Sequence, residues 1–338
     1  MSKNIWYNLQ KILSYNALFN FVVGARGGGK TYASKQLAIN SFLKDKSEFV
    51  YIRRYKTEMK KSKPNFFNDI AKNYDHIKFE IKGNNAYINE EVAGHFITLS
   101  NAKIEKSVSY PNVKYIIFDE FILDKGHHHY LPDEVTAFLE LYETIARLRE
   151  VKVIFISNAV SINNPYFMYF GIDTPYKKSI EKYYNVDGNY THINKDKKQY
   201  PDICVEFYEN EEFIEVKNKT RFGQLIKNTK YGDYAINNKM LRDNNSFIEK
   251  KPQSKYIYTI NIEGFDIGFW YDKGNYYISN DLGSNQNKFI IDAKNHDPDY
   301  LLIDKTDFIY KSLKSAFKNS KVFFEDNKTK ALFYNIIK

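Results

Sequence analysis

The chain has 338 residues, of which 43% are apolar and 27% charged, and it carries a net charge of +9. This length predicts about two domains, each able to bury a core, and no apolar run approaches the roughly 18 residues of a membrane span. The amino end lacks the features of a secretory signal, so we expect a cytoplasmic protein that contacts no membrane. The single cysteine, Cys204, excludes an internal disulfide and fits a small buried side chain. The positive charge favours an anionic polymer as partner, although charge alone is weak evidence.

The first part of the chain alternates short apolar runs with helical spacing, as α/β domains with parallel strands do. Strands are predicted at 19–23, 49–53, 115–118 and 151–156, and a helix at 31–43. Between the last two strands, Pro132-Asp133-Glu134 opens a helix that runs to about residue 149. Its apolar residues are spaced to pack one face on the sheet: Val135, Phe138, Leu139, Tyr142 and Ile145. We therefore predict a doubly wound α/β domain over residues 1–198.

The second part of the chain has a different pattern. From about residue 187 to 230 the sequence is polar, which indicates a linker or lid, placed at 199–228. Three short strands are predicted at 256–262, 265–271 and 276–279, joined by glycine-containing turns. The tail after residue 300 has helical spacing at Leu313, Ala316 and Phe317. Residues 229–338 are therefore predicted to form a small α+β domain.

Residues Gly24-Ala25-Arg26-Gly27-Gly28-Gly29-Lys30-Thr31, hereafter the phosphate loop, match the pattern G-x-x-x-x-G-K-[ST] between a predicted strand and helix. In such a loop the backbone N–H groups converge on phosphate at the helix N-terminus. We expect the glycines to let the backbone approach the phosphates, Lys30 to reach the β- and γ-phosphates, and the Thr31 hydroxyl to ligate Mg²⁺. The alternative, a chance glycine-rich turn, fits the flanking elements less well. The sequence thus predicts a site for ATP and Mg²⁺.

Two adjacent carboxylates, Asp119 and Glu120, follow the predicted strand at 115–118. At the end of a buried strand Asp119 would hold Mg²⁺, and Glu120 would polarise the attacking water. Adjacent carboxylates also occur at strand ends by chance, but the apolar strand before them strengthens the functional interpretation. A catalytic glutamate here favours hydrolysis over phosphoryl transfer to a metabolite. The next strand ends in Ser157-Asn158, where Asn158 either senses the γ-phosphate or forms an ordinary turn.

Three groups of cations have both a structural and a functional interpretation. Arg53 and Arg54 follow a strand at the same sheet edge, where they contact phosphate or are simply solvated. Arg147 and Arg149 end the long helix, where the helix dipole alone favours cations, or one of them is an arginine finger for a neighbour's nucleotide. The densest basic stretch is either a solvated run or a loop that holds DNA phosphates; it contains Lys56, Lys60, Lys61 and Lys63.

The whole chain resembles the genome-packaging ATPases of small short-tailed bacteriophages, the Salasmaviridae kind, which thread double-stranded DNA into a prohead. Every predicted region contributes to the resemblance. The segments are the phosphate loop with Tyr15 before it, Tyr51-Ile52-Arg53-Arg54-Tyr55-Lys56, Tyr110-Pro111-Asn112-Val113, Phe118-Asp119-Glu120-Phe121, Ser157-Asn158-Ala159-Val160, Asn164-Pro165-Tyr166-Phe167, Lys219-Thr220-Arg221-Phe222-Gly223, Tyr231-Gly232, Phe247-Ile248-Glu249-Lys250 and Ser315-Ala316-Phe317.

The resemblance implies an ASCE-type P-loop ATPase domain, a linker, and a small carboxyl-terminal domain of degenerate ribonuclease H-like shape. It also implies a homo-oligomeric ring, typically of five subunits, at the portal vertex of the prohead in the host cytoplasm. Some relatives attach there through a structural prohead RNA. In such a ring Arg147 matches a trans-acting arginine finger, Lys106 a second trans-acting basic residue, and Lys56 lies in a channel-side loop.

Nuclease activity is not expected. Related large terminases cut DNA with a carboxylate cluster, for which Glu263, Asp266 and Asp292 are the candidates, but these residues form no convincing metal constellation. Phages of this kind package a unit-length genome that needs no cutting. We therefore predict a DNA-translocating ATPase. The alternatives are a helicase or recombination-type ATPase with the same core, and a nucleotide-switched binding protein with negligible turnover.

Overall fold

The chain forms two compact units, Met1–Asp243 and Asn244–Lys338. The computed structural model describes residues 6–123, 129–131, 133–158, 164–172, 180–186, 188–192, 194, 199–236, 247–284, 287–291, 293 and 297–337. No helix in these ranges is both long enough and apolar enough to cross a membrane.

The first unit is built around a large sheet with helices on both faces. Its strands are β1 Phe19–Gly24, β2 Glu48–Arg53, β3 Phe79–Lys82, β4 Asn85–Ile88, β5 Glu91–Thr98, β6 Val113–Asp119, β7 Lys152–Asn158, β8 Ile180–Val186, β9 Asn189–Thr191 and β10 Ile203–Tyr208. Its α-helices are α1 Gln10–Leu13, α2 Lys30–Asp45, α3 Lys56–Ser62, α4 Glu134–Ala146, α5 Pro165–Tyr169, α6 Glu211–Lys219, α7 Arg221–Ile226 and α8 Lys230–Ala235. Short 3₁₀ segments cover Lys63–Asn65, Ala71–Asn73 and Leu99–Ser107.

The strand order is β3-β4-β5-β2-β6-β7-β1-β10-β8-β9. The central strands, from β5 to β10 in this order, are all parallel, and antiparallel strands continue the sheet on both sides. Since ligands bind at the carboxyl ends of the strands in such sheets, the ends of β1, β2, β6 and β7 are where a site is expected.

Both faces of this sheet are covered, which explains why its central strands are apolar along their whole length. On one face, Phe21 stacks on Phe155 with ring centroids 4.2 Å apart, and Phe138 of α4 packs against Phe155. On the other face, Ile39 and Phe42 of α2 are buried. Helices α2 and α4 therefore pack on opposite faces of one sheet.

The strands and helices predicted for the first domain are confirmed within a few residues at their ends. In α4 the predicted apolar face is also confirmed, because Val135, Phe138 and Ile145 are buried and Leu139 and Tyr142 pack against the same cluster. Pro132, predicted to open this helix, lies outside the described residues. Cys204 is buried and unpaired, as expected.

The structure corrects the predicted linker at 199–228. Residues 203–208 form β10, which pairs in parallel with β1 from Phe19↔Ile203 to Gly24↔Tyr208, and α6 and α7 follow it within the first unit. The predicted boundaries at 198 and 228 therefore differ from the structural division between Asp243 and Asn244. The polar residues on both sides concealed a six-residue strand whose first five residues are all buried.

The second unit contains a mixed sheet with the strand order β15-β14-β11-β12-β13-β16. Its strands are β11 Lys255–Ile262, β12 Phe265–Asp272, β13 Asn275–Ser279, β14 Lys288–Ile290, β15 Leu301–Leu302 and β16 Val322–Phe324, and its helices are α9 Phe308–Lys318 and α10 Asn327–Ile337. The predicted meander corresponds to β11, β12 and β13, and Leu313 and Ala316 are buried on α9. Among these strands β12 alone runs against its neighbours, because β14, β15 and β16 continue the sheet in parallel.

Candidate nucleotide site

The phosphate loop connects the end of β1 to the start of α2 and lines a cavity of about 250 Å³. Gly27 and Gly29 adopt φ values of 84° and 88°, in the left-handed region that glycine enters without a steric cost. The loop therefore depends on these two glycines for its shape. The cavity is lined by Gly27, Gly28, Gly29, Lys30, Thr31, Tyr32, Asp119, Glu120, Ile156, Ser157 and Asn158.

Lys30 is buried in the loop, with its Nζ donating hydrogen bonds to the carbonyl oxygens of Gly24 at 2.9 Å and Ala25 at 2.7 Å. Burial lowers the pKa of the Lys30 ammonium to about 7; Asp119 opposes this shift and Lys217 adds to it. A phosphate bound in the cavity would favour the charged form. Lys30 is thus held at the place where the sequence predicts a phosphate contact.

Asp119 and Thr31 face each other across the cavity. The Thr31 hydroxyl lies 3.3 Å from Asp119 Oδ1, and the Tyr51 hydroxyl donates to Asp119 Oδ2 at 2.7 Å. A hydroxyl and a carboxylate are the hard oxygen donors that Mg²⁺ prefers, and it commonly takes only one or two protein ligands beside phosphate and water. The residues present therefore fit the predicted Mg²⁺. Tyr51, for which the sequence predicted no role, orients the carboxylate, and burial raises the pKa of the Tyr51 hydroxyl.

Glu120 lines the cavity from a strained backbone position, with a φ of 60°. A non-glycine residue in this conformation costs on the order of 1–3 kcal/mol and persists only where its surroundings hold it. Its N–H donates to Ile156 O at 2.8 Å, and Arg54 binds the carbonyl oxygens of Glu120 at 3.2 Å and Phe121 at 2.6 Å. The turn after β6 is thereby fixed from two sides.

Arg54 is fully buried, so the structure excludes the possibility that it is merely solvated. Its Nε and Nη2 bind the two carboxylate oxygens of Glu134, the first residue of α4, at 2.8 and 2.9 Å. Tyr130 and Phe118 lie against the guanidinium, with ring centroids 5.0 and 5.6 Å away. Arg54 therefore joins the turn that carries Glu120 to the start of α4, a role that its neighbourhood in sequence does not reveal.

Arg53 lies on the other side of the same turn. Its guanidinium is 3.5 Å from Asp119 Oδ2 and donates to the carboxylate of Glu120. Burial disfavours the charged guanidinium, but the Asp119 and Glu120 carboxylates outweigh it and raise the pKa of Arg53. Arg53 thus contacts the two predicted metal and catalytic carboxylates, and its predicted contact with phosphate stays a prediction.

The segment predicted to be a linker forms one wall of the phosphate loop. Tyr208 of β10 packs so closely that a Cβ on Gly24 would stand 3.0 Å from its carbonyl oxygen. Lys217 of α6 donates to the Arg26 carbonyl oxygen at 2.8 Å and to that of Ala235 at 2.5 Å. Burial, together with Arg26, lowers the pKa of Lys217. The signal that would have revealed this wall is the apolar run in Ile203-Cys204-Val205-Glu206-Phe207-Tyr208.

The two candidate arginine fingers differ in the structure. Arg149 is committed to three carbonyl oxygens within its own unit, those of Val113, Tyr110 and Ile145. Arg147 caps the carboxyl end of α4 with a φ of 52°, and its backbone N–H donates to Glu143 O at 2.8 Å. Its side chain is exposed and makes no hydrogen bond or ion pair with the described part of the chain. Lys106 lies in the 3₁₀ segment Leu99–Ser107, but its side chain lies outside the described structure.

The remaining predicted residues lie in two places. Asn158 ends β7 and lines the cavity, and Arg26 is exposed on the phosphate loop. The basic stretch expected to be a loop begins instead as the helix α3, on which Lys56, Lys60 and Lys61 are exposed. Of the candidate nuclease residues, Asp292 lies outside the described residues, Glu263 accepts from Asn335, and Asp266 accepts from Asn261 and Tyr300.

A mainly parallel sheet with a glycine-rich loop, a buried lysine and paired carboxylates at its carboxyl edge defines a mixed α/β protein whose site suits a phosphorylated ligand. The family model of the podovirus DNA encapsidation protein (Gp16) matches residues 1–338. The chain therefore belongs to this family, which confirms the resemblance drawn from the sequence motifs.

Relatives and solved structures agree with this assignment. The chain is 38% identical to the DNA packaging protein of Bacillus phage phi29 and 37% identical to that of Bacillus phage PZA, each over 100% of this chain and 98% of the relative. A chain of the bacteriophage phi29 viral genome packaging motor assembly has a TM-score of 0.76, with 35% identity over 98% of both chains. The crystal structure of the N-terminal domain of the phi29 DNA packaging ATPase matches 62% of this chain and 98% of that domain, at 42% identity and a TM-score of 0.53.

Proposed function

We propose that this chain is an ATP-hydrolysing motor that moves double-stranded viral DNA into a preformed prohead. Its relatives are named DNA packaging proteins, and a similar chain is part of a viral genome packaging motor assembly. The observation that carries the proposal is the cavity in which Lys30, Thr31, Asp119 and Glu120 meet. These are the parts that hydrolysis of a nucleoside triphosphate requires.

In this proposal the loop N–H groups and Lys30 bind the β- and γ-phosphates of ATP. Thr31 and Asp119 would hold Mg²⁺, which neutralises phosphate charge when bound. Glu120 accepts a proton from a water molecule whose oxygen attacks the γ-phosphorus, the bond to the bridging oxygen breaks, and ADP and inorganic phosphate leave. Arg53 and Asn158, beside the carboxylates and in the cavity wall, are expected to orient the γ-phosphate.

The catalytic site is proposed to be completed by a neighbouring subunit in a homo-oligomeric ring, of five subunits as the family resemblance implies. The exposure of Arg147, together with the commitment of Arg149 to carbonyl oxygens, supports Arg147 as the trans-acting finger. Lys106 is proposed as the second trans-acting cation. We place the ring at the portal vertex of the prohead, in the cytoplasm of the infected host, with a structural prohead RNA as a further candidate partner.

DNA is proposed to be held by its phosphates at Lys56, Lys60 and Lys61. All three lysines are exposed on α3, which begins three residues after β2 ends at the site edge. Contacts of this kind bind without reading sequence and weaken as salt rises. The second unit is proposed to be a ribonuclease H-like domain without nuclease activity. The single reversed strand, β12, within an otherwise parallel arrangement is consistent with that shape.

The test compares ATP turnover, packaging and strand separation in the full-length chain. We expect turnover that double-stranded DNA stimulates, packaging into proheads that depends on ATP, and no displacement of one strand from a duplex. Strand displacement would instead favour a helicase or recombination-type ATPase. ATP binding with negligible turnover in the presence of DNA and proheads would favour a nucleotide-switched binding protein.

A further inference from the structure

The general base proposed above, Glu120, stands on a backbone conformation that is unfavourable for a glutamate. Its φ is 60°, and its side chain lines the cavity with 56% of its surface exposed. Rotation of φ back to a negative value would relieve the strain and turn the side chain in another direction. The N–H bond from Glu120 to Ile156 O fixes the turn from the side of β7. The direction of the carboxylate therefore also depends on what holds the other side of the turn.

Arg54 holds that side through two carbonyl oxygens. Its Nη1 donates to Glu120 O at 3.2 Å, and its Nη2 donates to Phe121 O at 2.6 Å. Because one planar guanidinium binds both oxygens, a rotation of the backbone at Glu120 would break at least one of these bonds. A buried carbonyl oxygen that loses its donor is costly, so the two bonds oppose this rotation.

Arg54 can support the turn because it is itself fixed. Its Nε and Nη2 donate to the two carboxylate oxygens of Glu134 at 2.8 and 2.9 Å, and Glu134 Oε2 also accepts from Leu131 N at 2.9 Å. The side chains of Arg54 and Glu134 are 0% and 1% exposed, so water does not compete for these bonds. A guanidinium that binds a carboxylate through two parallel bonds has little freedom to turn. The buried pair is thus a rigid support at the start of α4.

We propose that Arg54 is a positioning residue for ATP hydrolysis, which holds the backbone of Glu120 so that the carboxylate stays at the attacking water. The inference rests on the proposed function, because it takes Glu120 as the group that accepts the proton of that water. Arg54 acts through the carbonyl oxygens of the turn, whereas Arg53 donates to the Glu120 carboxylate itself.

The first experiment separates this role from a contribution to stability. Arg54→Met/Glu134→Leu removes the charged pair as a unit, so the full-length double variant should fold. Its kcat for ATP should fall by about 10- to 100-fold, the usual effect of a catalytic group displaced by about 1 Å. Its KM for ATP should stay within about twofold of wild type, because the phosphate loop is unchanged. Steady-state phosphate release with DNA and proheads measures both constants.

The matched control is Leu141→Ala in the same helix, α4. Leu141 is buried about two helical turns after Glu134, so its loss should lower the stability of the first unit by leaving a cavity. It should leave kcat unchanged, because it does not touch the turn that carries Glu120. Urea denaturation of both variants gives the stability for comparison. An equal loss of kcat in the control and in the double variant would assign the effect to stability and overturn the positioning role.

The second experiment identifies which group the double variant has lost. If Arg54 acts on Glu120 of its own chain, the double variant still offers Arg147 to a neighbour. Mixing it with Arg147→Ala subunits should then restore part of the turnover, since those subunits keep an intact Glu120. Mixing it with Glu120→Gln subunits should restore none, because both kinds of subunit then lack a working base. Restoration by Glu120→Gln instead of Arg147→Ala subunits would show that the arginine finger was lost, and would overturn the positioning role.

Failure of the positioning role is distinguishable from failure of the proposed function. If wild-type protein hydrolyses ATP and Glu120→Gln does not, but the double variant retains the wild-type kcat, Arg54 has no positioning role and the proposed function stands. If wild-type protein does not hydrolyse ATP in the presence of DNA and proheads, the proposed function fails as well.

Discussion

Charged residues are arranged differently around the two sheets of the molecule. At the carboxyl edge of the first sheet, Lys30, Arg53, Asp119 and Glu120 converge around one cavity, where they are held by buried partners such as Tyr51. In the second unit the two described nuclease candidates are satisfied locally, Glu263 by Asn335 and Asp266 by Asn261 and Tyr300. The described residues contain no group of three or more His, Cys, Asp or Glu that could hold a metal. Charged residues therefore indicate a functional site only where the sheet topology brings the ends of several strands together.

The largest expected effect tests whether one chain supplies all the catalytic residues at the carboxyl edge of the first sheet. Among the described residues that line its cavity, Lys30 is the single cation. If Arg147 arrives from a neighbour, Arg147→Ala should lower ATP turnover by about 10³-fold or more while ATP still binds. Mixing it with Glu120→Gln subunits should restore part of the turnover, because a site with Glu120 then meets a neighbour with Arg147. Arg221→Ala, an exposed arginine of α7, is the control. If mixed rings of Arg147→Ala and Glu120→Gln subunits turned over no more ATP than either variant alone, the trans role would be contradicted.

The second prediction compares the loss of one acidic residue in each of the two units. Glu120→Gln should retain ATP binding and lower turnover by about 10²- to 10⁴-fold, because an amide cannot accept the proton of the attacking water. Glu263→Gln, the same change in the second unit, should leave turnover unchanged. Both are measured as steady-state phosphate release with and without DNA. Normal turnover in Glu120→Gln would remove Glu120 from the catalytic site.

A third prediction concerns stability. Arg54→Met leaves the Glu134 carboxylate buried without its partner, which should lower the free energy of unfolding of the first unit by about 3–5 kcal/mol. The double variant Arg54→Met/Glu134→Leu should recover much of this loss, as measured by urea denaturation. Lys251→Met, which removes the exposed partner of Asp272 in the second unit, should have a much smaller effect. Equal losses in the two units would contradict the difference between their ion pairs.

The smallest expected effect is the uptake of a proton when ATP binds. Burial lowers the pKa of Lys30 to about 7, so above that pH its side chain is largely neutral in the free protein, whereas bound phosphate would raise the pKa toward its usual value. ATP binding should therefore take up close to one proton at about pH 8.5 and almost none near pH 6, and ATP affinity should fall as pH rises above 7. Calorimetry in buffers of different ionisation enthalpy measures this uptake. The absence of proton uptake at pH 8.5 would show that Lys30 is already charged in the free protein.

Local patterns were sufficient to predict the phosphate loop, Asp119, Glu120 and the four strands around them, because a continuous motif or apolar run specifies each of them. Arg54 was not predictable in this way. Its role depends on Glu134, which lies 80 residues away in sequence and meets it only in the folded chain. Tyr51 was missed for the same reason, since its hydroxyl reaches Asp119 across neighbouring strands.

The linker prediction failed because composition was averaged over a segment that contains a short buried strand. The wall of the phosphate loop formed by Tyr208 and Lys217 could not be inferred without the pairing of β10 with β1. The sequence alone also did not distinguish Arg147 from Arg149 as the arginine finger. The carbonyl contacts that distinguish them come from residues on β6 and the segment before it.

The pairing of β1 with β10 also has a consequence for how the protein is made. During synthesis the phosphate loop leaves the ribosome early, but the strand that flanks it follows much later, and the hydrogen bond from Tyr7 to Glu206 spans 199 residues. Until then β1 has one unpaired edge, which is open to wrong strand partners. Contacts of such long range form slowly. A nascent chain that ends near residue 198 would thus carry the complete motif but should bind nucleotide poorly and aggregate readily.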